Sequence, residues 1–164
     1  MIPTFTNKIK ENLLTDFLGL NLVIALINYP ELGLTDSITN EQLNLRSNLT
    51  LDNISEYEIG KFSLNGYKRQ IVNFNSSLIS GENVKQVITT VEFEANGADF
   101  EPATHIIAIQ GARLSNAEPE NGNNRGDGQG TIIYVEPINN APLVVAENTV
   151  FEYTATFISS IGFI

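Results

Sequence analysis

From Phe151 to Phe157 the chain reads Phe-Glu-Tyr-Thr-Ala-Thr-Phe, with an apolar side chain at every second position. Successive side chains of a strand point to opposite faces, so this stretch buries one face and wets the other. The same period recurs at Val91-Glu92-Phe93-Glu94. His105 to Ile109 and Thr131 to Val135 are instead nearly continuous apolar runs, the pattern of strands covered on both faces. Together these runs predict a mainly β fold, an antiparallel β-sandwich of jelly-roll type.

The remaining pattern places the other elements. Residues 6–18 read as a short N-terminal α-helix: Thr6 or Asn7 can cap it, Ile9, Leu13 and Phe17 share a face, and Gly19 can end it. Leu20 to Tyr29 follows as an aliphatic strand closed by Pro30, which cannot donate to a ladder. Pro30, Gly33, Asp36 and Asn40 punctuate a predicted surface loop over 30–42. Leu43 to Leu51 carries leucines at 43, 45, 49 and 51 and reads as a half-buried strand near an edge.

A turn at Leu64-Asn65-Gly66 introduces a strand over Tyr67 to Phe74, and Gly81-Glu82-Asn83 separates it from the next. Ser115 to Gly130, rich in Asn and Gly, is expected as an exposed loop between two paired strands. Asn139 to Pro142 and Glu147 to Thr149 mark turns around a short strand at Leu143 to Val145. No repeat or linker divides the 164 residues, which predicts one domain spanning 1–164 with an insertion at 30–63.

Composition narrows the chemistry. Cysteine is absent, which removes disulfides, thiolate metal sites and thiol nucleophiles. Nineteen acidic against nine basic residues give a formal charge of −10, which repels nucleic-acid phosphates and anionic membranes. Ten of the acids and only two of the bases fall after residue 85, so the second half is the more acidic. The longest apolar run, Leu22 to Ile27, is strand-sized rather than membrane-spanning, and the first residues lack the basic start and apolar core of a secretory signal. Neither nucleic acid nor membrane is an expected partner.

The candidate chemical motifs are each met by a simpler explanation. His105, the sole histidine, shares a strand face with Ile107 and Ile109 and is expected to orient a strand start in the core. Arg125-Gly126-Asp127 has the form of an adhesion tripeptide, yet turn chemistry accounts for each residue. Glu118, Glu120, Asn121, Asn123 and Asp127 offer oxygen ligands in an order unlike the common calcium loop. Gly126 to Gly130 lacks the Lys-Ser/Thr ending of a phosphate loop. Glu92 and Glu94 are neighbours on one strand face, expected to be solvated rather than a glycosidase pair. Asn-x-Ser/Thr triplets at Asn48, Asn53 and Asn75 are expected by chance among twenty asparagines. No catalytic residue, cofactor or metal site is therefore expected.

The order of these segments resembles a family of small tailed-bacteriophage virion proteins. The resemblance runs through Lys8 to Leu14, Leu22 to Tyr29, Leu64 to Phe74, Val91 to Glu94, Thr104 to Ile109, Ile133-Tyr134 and Ala141 to Phe151. It implies a noncatalytic role in the virion, as a capsid cement or decoration protein that bridges major capsid subunits and sits on the particle as a homo-oligomer. A tail, baseplate or fibre-associated protein is the alternative, and a carbohydrate-binding module is an alternative of another class, disfavoured by the absence of tryptophan. The apolar tail through Ile161, Phe163 and Ile164, with Ile2 and Phe5 at the other end, supplies candidate contact arms at 1–5 and 159–164.

Overall fold

A computed structural model describes residues 22–60, 65–72, 78–80, 84–110 and 130–160. The predicted helix at 6–18, the contact arms at Ile2, Phe5, Ile161, Phe163 and Ile164, and most of the 115–130 loop lie outside the described residues.

The strands form two antiparallel sheets. In the first, β2 (Gln70–Ile71), β1 (Leu22–Ile27), β5 (His105–Gln110) and β6 (Thr131–Pro137) lie side by side in that order. In the second, β3 (Leu78–Ser80) and β7 (Val150–Ser160) flank β4 (Val84–Glu94). β4 and β7 stay in register over their full length, from Val84↔Ser160 to Glu94↔Val150. The two-residue period read from the sequence appears here as buried Val91, Phe93, Tyr153 and Ala155 alternating with exposed Glu92, Glu94, Glu152 and Thr154.

One hydrophobic core joins both sheets. Leu22, Ile24 and Leu26 of β1 and Ile106 and Ala108 of β5 pack with Val91 and Phe93 of β4 and Tyr153 and Ala155 of β7. Tyr67 enters the same core, its ring parallel to that of Phe93 at 6.2 Å and edge-on to Phe100 at 5.7 Å. The opposite face of β1 and β5 has its own cluster: Val23, Ala25, Ile27, Ile107 and Ile109 meet Leu32, Leu51 and Ile54. The central strands are thus covered on both sides, which is why they read as unbroken apolar runs.

What covers the second face differs from the expected loop and strand. Pro30–Leu32 forms a 3₁₀ turn, α1 spans Asn40–Ser47 and α2 spans Leu51–Ile54. The predicted strand over 43–51 is therefore wrong, and the cause is local. Thr39 Oγ1 accepts from the Gln42 N–H (3.2 Å) while Gln42 Oε1 accepts from the Thr39 N–H (3.0 Å), and Thr50 and Asn53 repeat the arrangement at α2. Each box satisfies donors that a helix start leaves open. Leu45 of α1, Leu49 of the connection and Leu51 of α2 then reach the sheet, while Leu43 stays 53% exposed.

Two other expectations are trimmed. Of the strand predicted over Tyr67 to Phe74, Gln70 and Ile71 pair with β1 and the Val72 N–H bonds the Leu22 carbonyl, while Tyr67 turns into the core; residues 73 and 74 lie outside the described residues. The strand predicted at Leu143 to Val145 reduces to a bridge between Leu143 and Ala103, set between left-handed Asn140 (φ 59°) and Asn148 (φ 62°). The β5–β6 pairing matches the expected strand pair around the long loop, with an irregularity between Ala108 and Ile109.

Candidate functional site

Three groups of polar side chains stand out, and each spans elements far apart in sequence. The first is buried between the sheets. Glu58 pairs through its backbone with Ile27, and its carboxylate takes two parallel bonds from Arg69, from Nε at 2.9 Å and from Nη2 at 2.8 Å. The Tyr67 hydroxyl donates to the same carboxylate at 3.1 Å and accepts from the Leu26 N–H of β1 at 3.1 Å. Burial and the Glu58 charge hold the Tyr67 hydroxyl well above the ordinary tyrosine range. Gly60 sits against the Tyr67 ring at φ +92°, where a Cβ would come within 2.3 Å of Cδ1. This cluster ties Glu58, Tyr67 and Arg69 to β1.

The second group joins the helical cover to the first sheet. His105 is fully buried, with Nε2 2.6 Å from the Gly33 carbonyl and Nδ1 2.9 Å from Thr104 Oγ1. Thr104 Oγ1 also accepts from the Tyr29 N–H at 2.7 Å. Arg46 of α1 donates to the same Gly33 carbonyl at 2.9 Å and to that of Leu32 at 2.7 Å. Burial lowers the basicity of His105, the bond to Gly33 opposes this, and the nearby Arg46 charge lowers it further. His105 thus has the strand-start core position expected from the sequence.

The third group bridges the two sheets at one margin. Tyr134 of β6 and Tyr153 of β7 are linked hydroxyl to hydroxyl at 2.8 Å, and Tyr153 donates to Glu136 Oε2 at 2.8 Å. Burial raises Tyr134 to about 12 and Tyr153 higher still. Beside them a cleft of about 480 Å³ is lined by Tyr134, Val135, Glu136, Tyr153, Thr154 and Thr156. A second cleft of about 550 Å³ separates Lys68, Gln70 and Ile71 from Thr90, Glu92 and Glu94. Both are open and largely polar.

On the solvent side of the second sheet Glu92 stands directly across from Glu152, and Thr90 Oγ1 meets Thr154 Oγ1 at 2.9 Å. Glu92 and Glu94 are exposed, as the sequence predicts for a solvated strand face. Like charges facing across a ladder repel, so this face is tolerated rather than stabilising.

The structure brings together residues that sequence reasoning left apart. Glu58 and Glu136 were singled out by no motif, and Tyr67, Arg69, Tyr134 and Tyr153 were read only as strand residues. No local signal marks them, since Arg69 stands between Lys68 and Gln70 and Glu58 two residues after Glu56. Among the described residues no three His, Cys, Asp or Glu side chains gather as a metal site, and no helix is long and apolar enough to cross a membrane. The Arg125-Gly126-Asp127 tripeptide, the Glu118 to Asp127 oxygen ligands and the arm residues Ile2, Phe5, Ile161, Phe163 and Ile164 lie outside the described residues, whereas Ser159 and Ser160 of the C-terminal arm belong to β7. No family model, curated protein or solved structure matches this chain.

Proposed function

We propose that this chain is a noncatalytic bacteriophage virion protein, a capsid cement or decoration protein that bridges major capsid subunits. In this reading it folds as a jelly-roll-like β-sandwich with a short helix at residues 6–18. The observation that carries it is how the buried polar groups are used: Glu58, Tyr67, Arg69, Thr104 and His105 each bond a neighbouring element, so interior polarity goes into rigidity. Recognition is then left to the surface.

The outer face of β4 and β7 supports the same reading. Thr90, Glu92, Glu94, Glu152, Thr154 and Thr156 make an acidic, solvated face that fits a basic patch on a partner. A rigid domain that touches two shell subunits only after assembly stabilises the assembled state by its binding free energy, repeated over many copies. Contact arms at Ile2, Phe5, Ile161, Phe163 and Ile164 would add apolar area toward the roughly 1,200–2,000 Å² of a specific interface.

The test is the copy number of the chain in gradient-purified particles, with and without tails. Hundreds of copies retained on tailless heads agree with cement; a few dozen lost with the tails would move the protein to the tail or baseplate. Absence from both overturns the virion reading. A carbohydrate-binding module is the second reading, favoured by the hydroxyl-lined cleft at Tyr134, Glu136, Tyr153, Thr154 and Thr156. Glycan-array binding abolished by Thr154→Val and Glu136→Gln would establish it.

A further inference from the structure

We propose that His105 is an acid-sensitive latch: its protonation loosens the helical cover, residues 30–47, from the first sheet before the rest of the fold opens. The proposal is independent of the assembly role. Its basis is the way the imidazole is held. A carbonyl can only accept, so the 2.6 Å contact with Gly33 puts the hydrogen of the neutral ring on Nε2. Nδ1 is then bare and accepts the Thr104 hydroxyl at 2.9 Å.

Adding a proton to Nδ1 forces that hydroxyl to turn away. The acceptor it can turn to is the Ile27 carbonyl, 3.3 Å distant and already bonded by the Thr104 N–H at 2.8 Å. Nδ1–H then donates to the Thr104 oxygen, so that contact reverses direction and the hydroxyl proton is left with the longer bond. The new charge also lies in a fully buried site beside Arg46, whose guanidinium bonds the same Gly33 oxygen. Two cations then share one carbonyl, and the contact that fastens the cover becomes the point of repulsion.

The surrounding acids do not offset this. The elements stacked on this face carry Glu31 on the 3₁₀ turn, Asp36 in the bends that follow, Glu41 on α1, Asp52 on α2 and Glu56 after it, all exposed. Glu136 next to β6 residue Pro137 is exposed as well, and Glu58 beside Ile27 is bonded to Arg69. Of the charges near the ring, Arg46 is the one that acts on it, and it acts against protonation.

The direction follows from linkage. The unfolded or opened segment takes up its proton near the ordinary value of 6.5, whereas the closed one does so only at lower pH. The closed state's advantage is therefore complete above 6.5 and is lost as pH falls from there toward the lowered folded value.

Amide hydrogen exchange on the full chain at about pH 7.5 and about pH 5, corrected for intrinsic rates, tests this. Peptides within 33–47 are expected to open more in acid, by about tenfold for each unit of pKa displacement, while β4 and β7 keep their protection. His105→Gln retains an amide donor for Gly33 without a titrating ring and should abolish the acid effect. Because His105 is the sole histidine, its single ring resonance gives a second measure in the unaltered protein. Its midpoint should coincide with the loss of protection. Protection of 33–47 that is independent of pH, an acid effect that survives His105→Gln, or equal loosening of β4 and β7 would each overturn the latch.

Discussion

Replacing Arg69 with methionine isolates what the buried ion pair does. Arg69 and Glu58 are 3% and 2% exposed, and their two parallel bonds are 2.9 and 2.8 Å long. Methionine fills much of the same volume but leaves the Glu58 carboxylate inside the protein with the Tyr67 hydroxyl as its remaining bond among those described above. Breaking a buried pair from one side typically costs about 3–5 kcal/mol, because the orphaned charge keeps its desolvation penalty. With a urea slope of roughly 2 kcal/mol per molar, the unfolding midpoint should fall by about 2 M. The double change Glu58→Leu with Arg69→Met removes both charges, so it should be less damaging than Arg69→Met alone. Urea titrations of the four proteins in the cycle give the coupling directly, expected to exceed about 1 kcal/mol. Loss of under about 1 kcal/mol in Arg69→Met, or additive losses in the double variant, would refute the assignment of this pair as a lock between Glu58 and Arg69.

Other perturbations probe separate parts of the fold. Gly60→Ala places a Cβ within 2.3 Å of the Tyr67 ring at φ +92°, whereas Gly66→Ala at φ +77° meets its nearest neighbour at 3.3 Å. Both carry backbone strain of about 1–3 kcal/mol, but Gly60→Ala must also displace Tyr67, so thermal melting should show the larger drop there. Thr39→Ala removes half of the α1 capping box and should cost about 1 kcal/mol, read as selective fraying of 40–47 by hydrogen exchange. Alkali should destabilise the protein: Tyr134 titrates at about 12 when folded against 10.0 unfolded, and Tyr153 and Tyr67 are raised too. The folded state then holds protons that the unfolded state has released, so stability falls as pH rises above about 10. Tyr134→Phe should make the decline in urea midpoint shallower; an unchanged slope would contradict the buried hydroxyl chain.

The elements whose signal is local were legible before any fold was known. Alternation over 151–157 and 91–94 specified β7 and β4, because a strand repeats every two residues wherever its partner lies. The unbroken run at 105–109 announced a strand covered on both faces, and the two core clusters on opposite sides of β5 and its neighbour β1 are that cover. The run at 131–135, read the same way, is β6 at the sheet edge, only half-buried because no strand pairs with its outer side among the described residues. His105 was legible for the same reason, since its strand neighbours fix the face it shares.

Tertiary structure decided what covers, joins and locks those strands. The leucines of 43–51 alternate as a strand would, but Thr39 with Gln42 and Thr50 with Asn53 cap two short helices there, and these with their connection carry Leu45, Leu49 and Leu51 to the sheet. No period within the chain announces that Glu58 meets Arg69, that Tyr134 meets Tyr153, or that Gly33 receives His105 from 72 residues away. Such contacts exist only after the chain between them has closed into a loop. Their energy comes from burial, a property of the folded whole that short-range pattern does not carry.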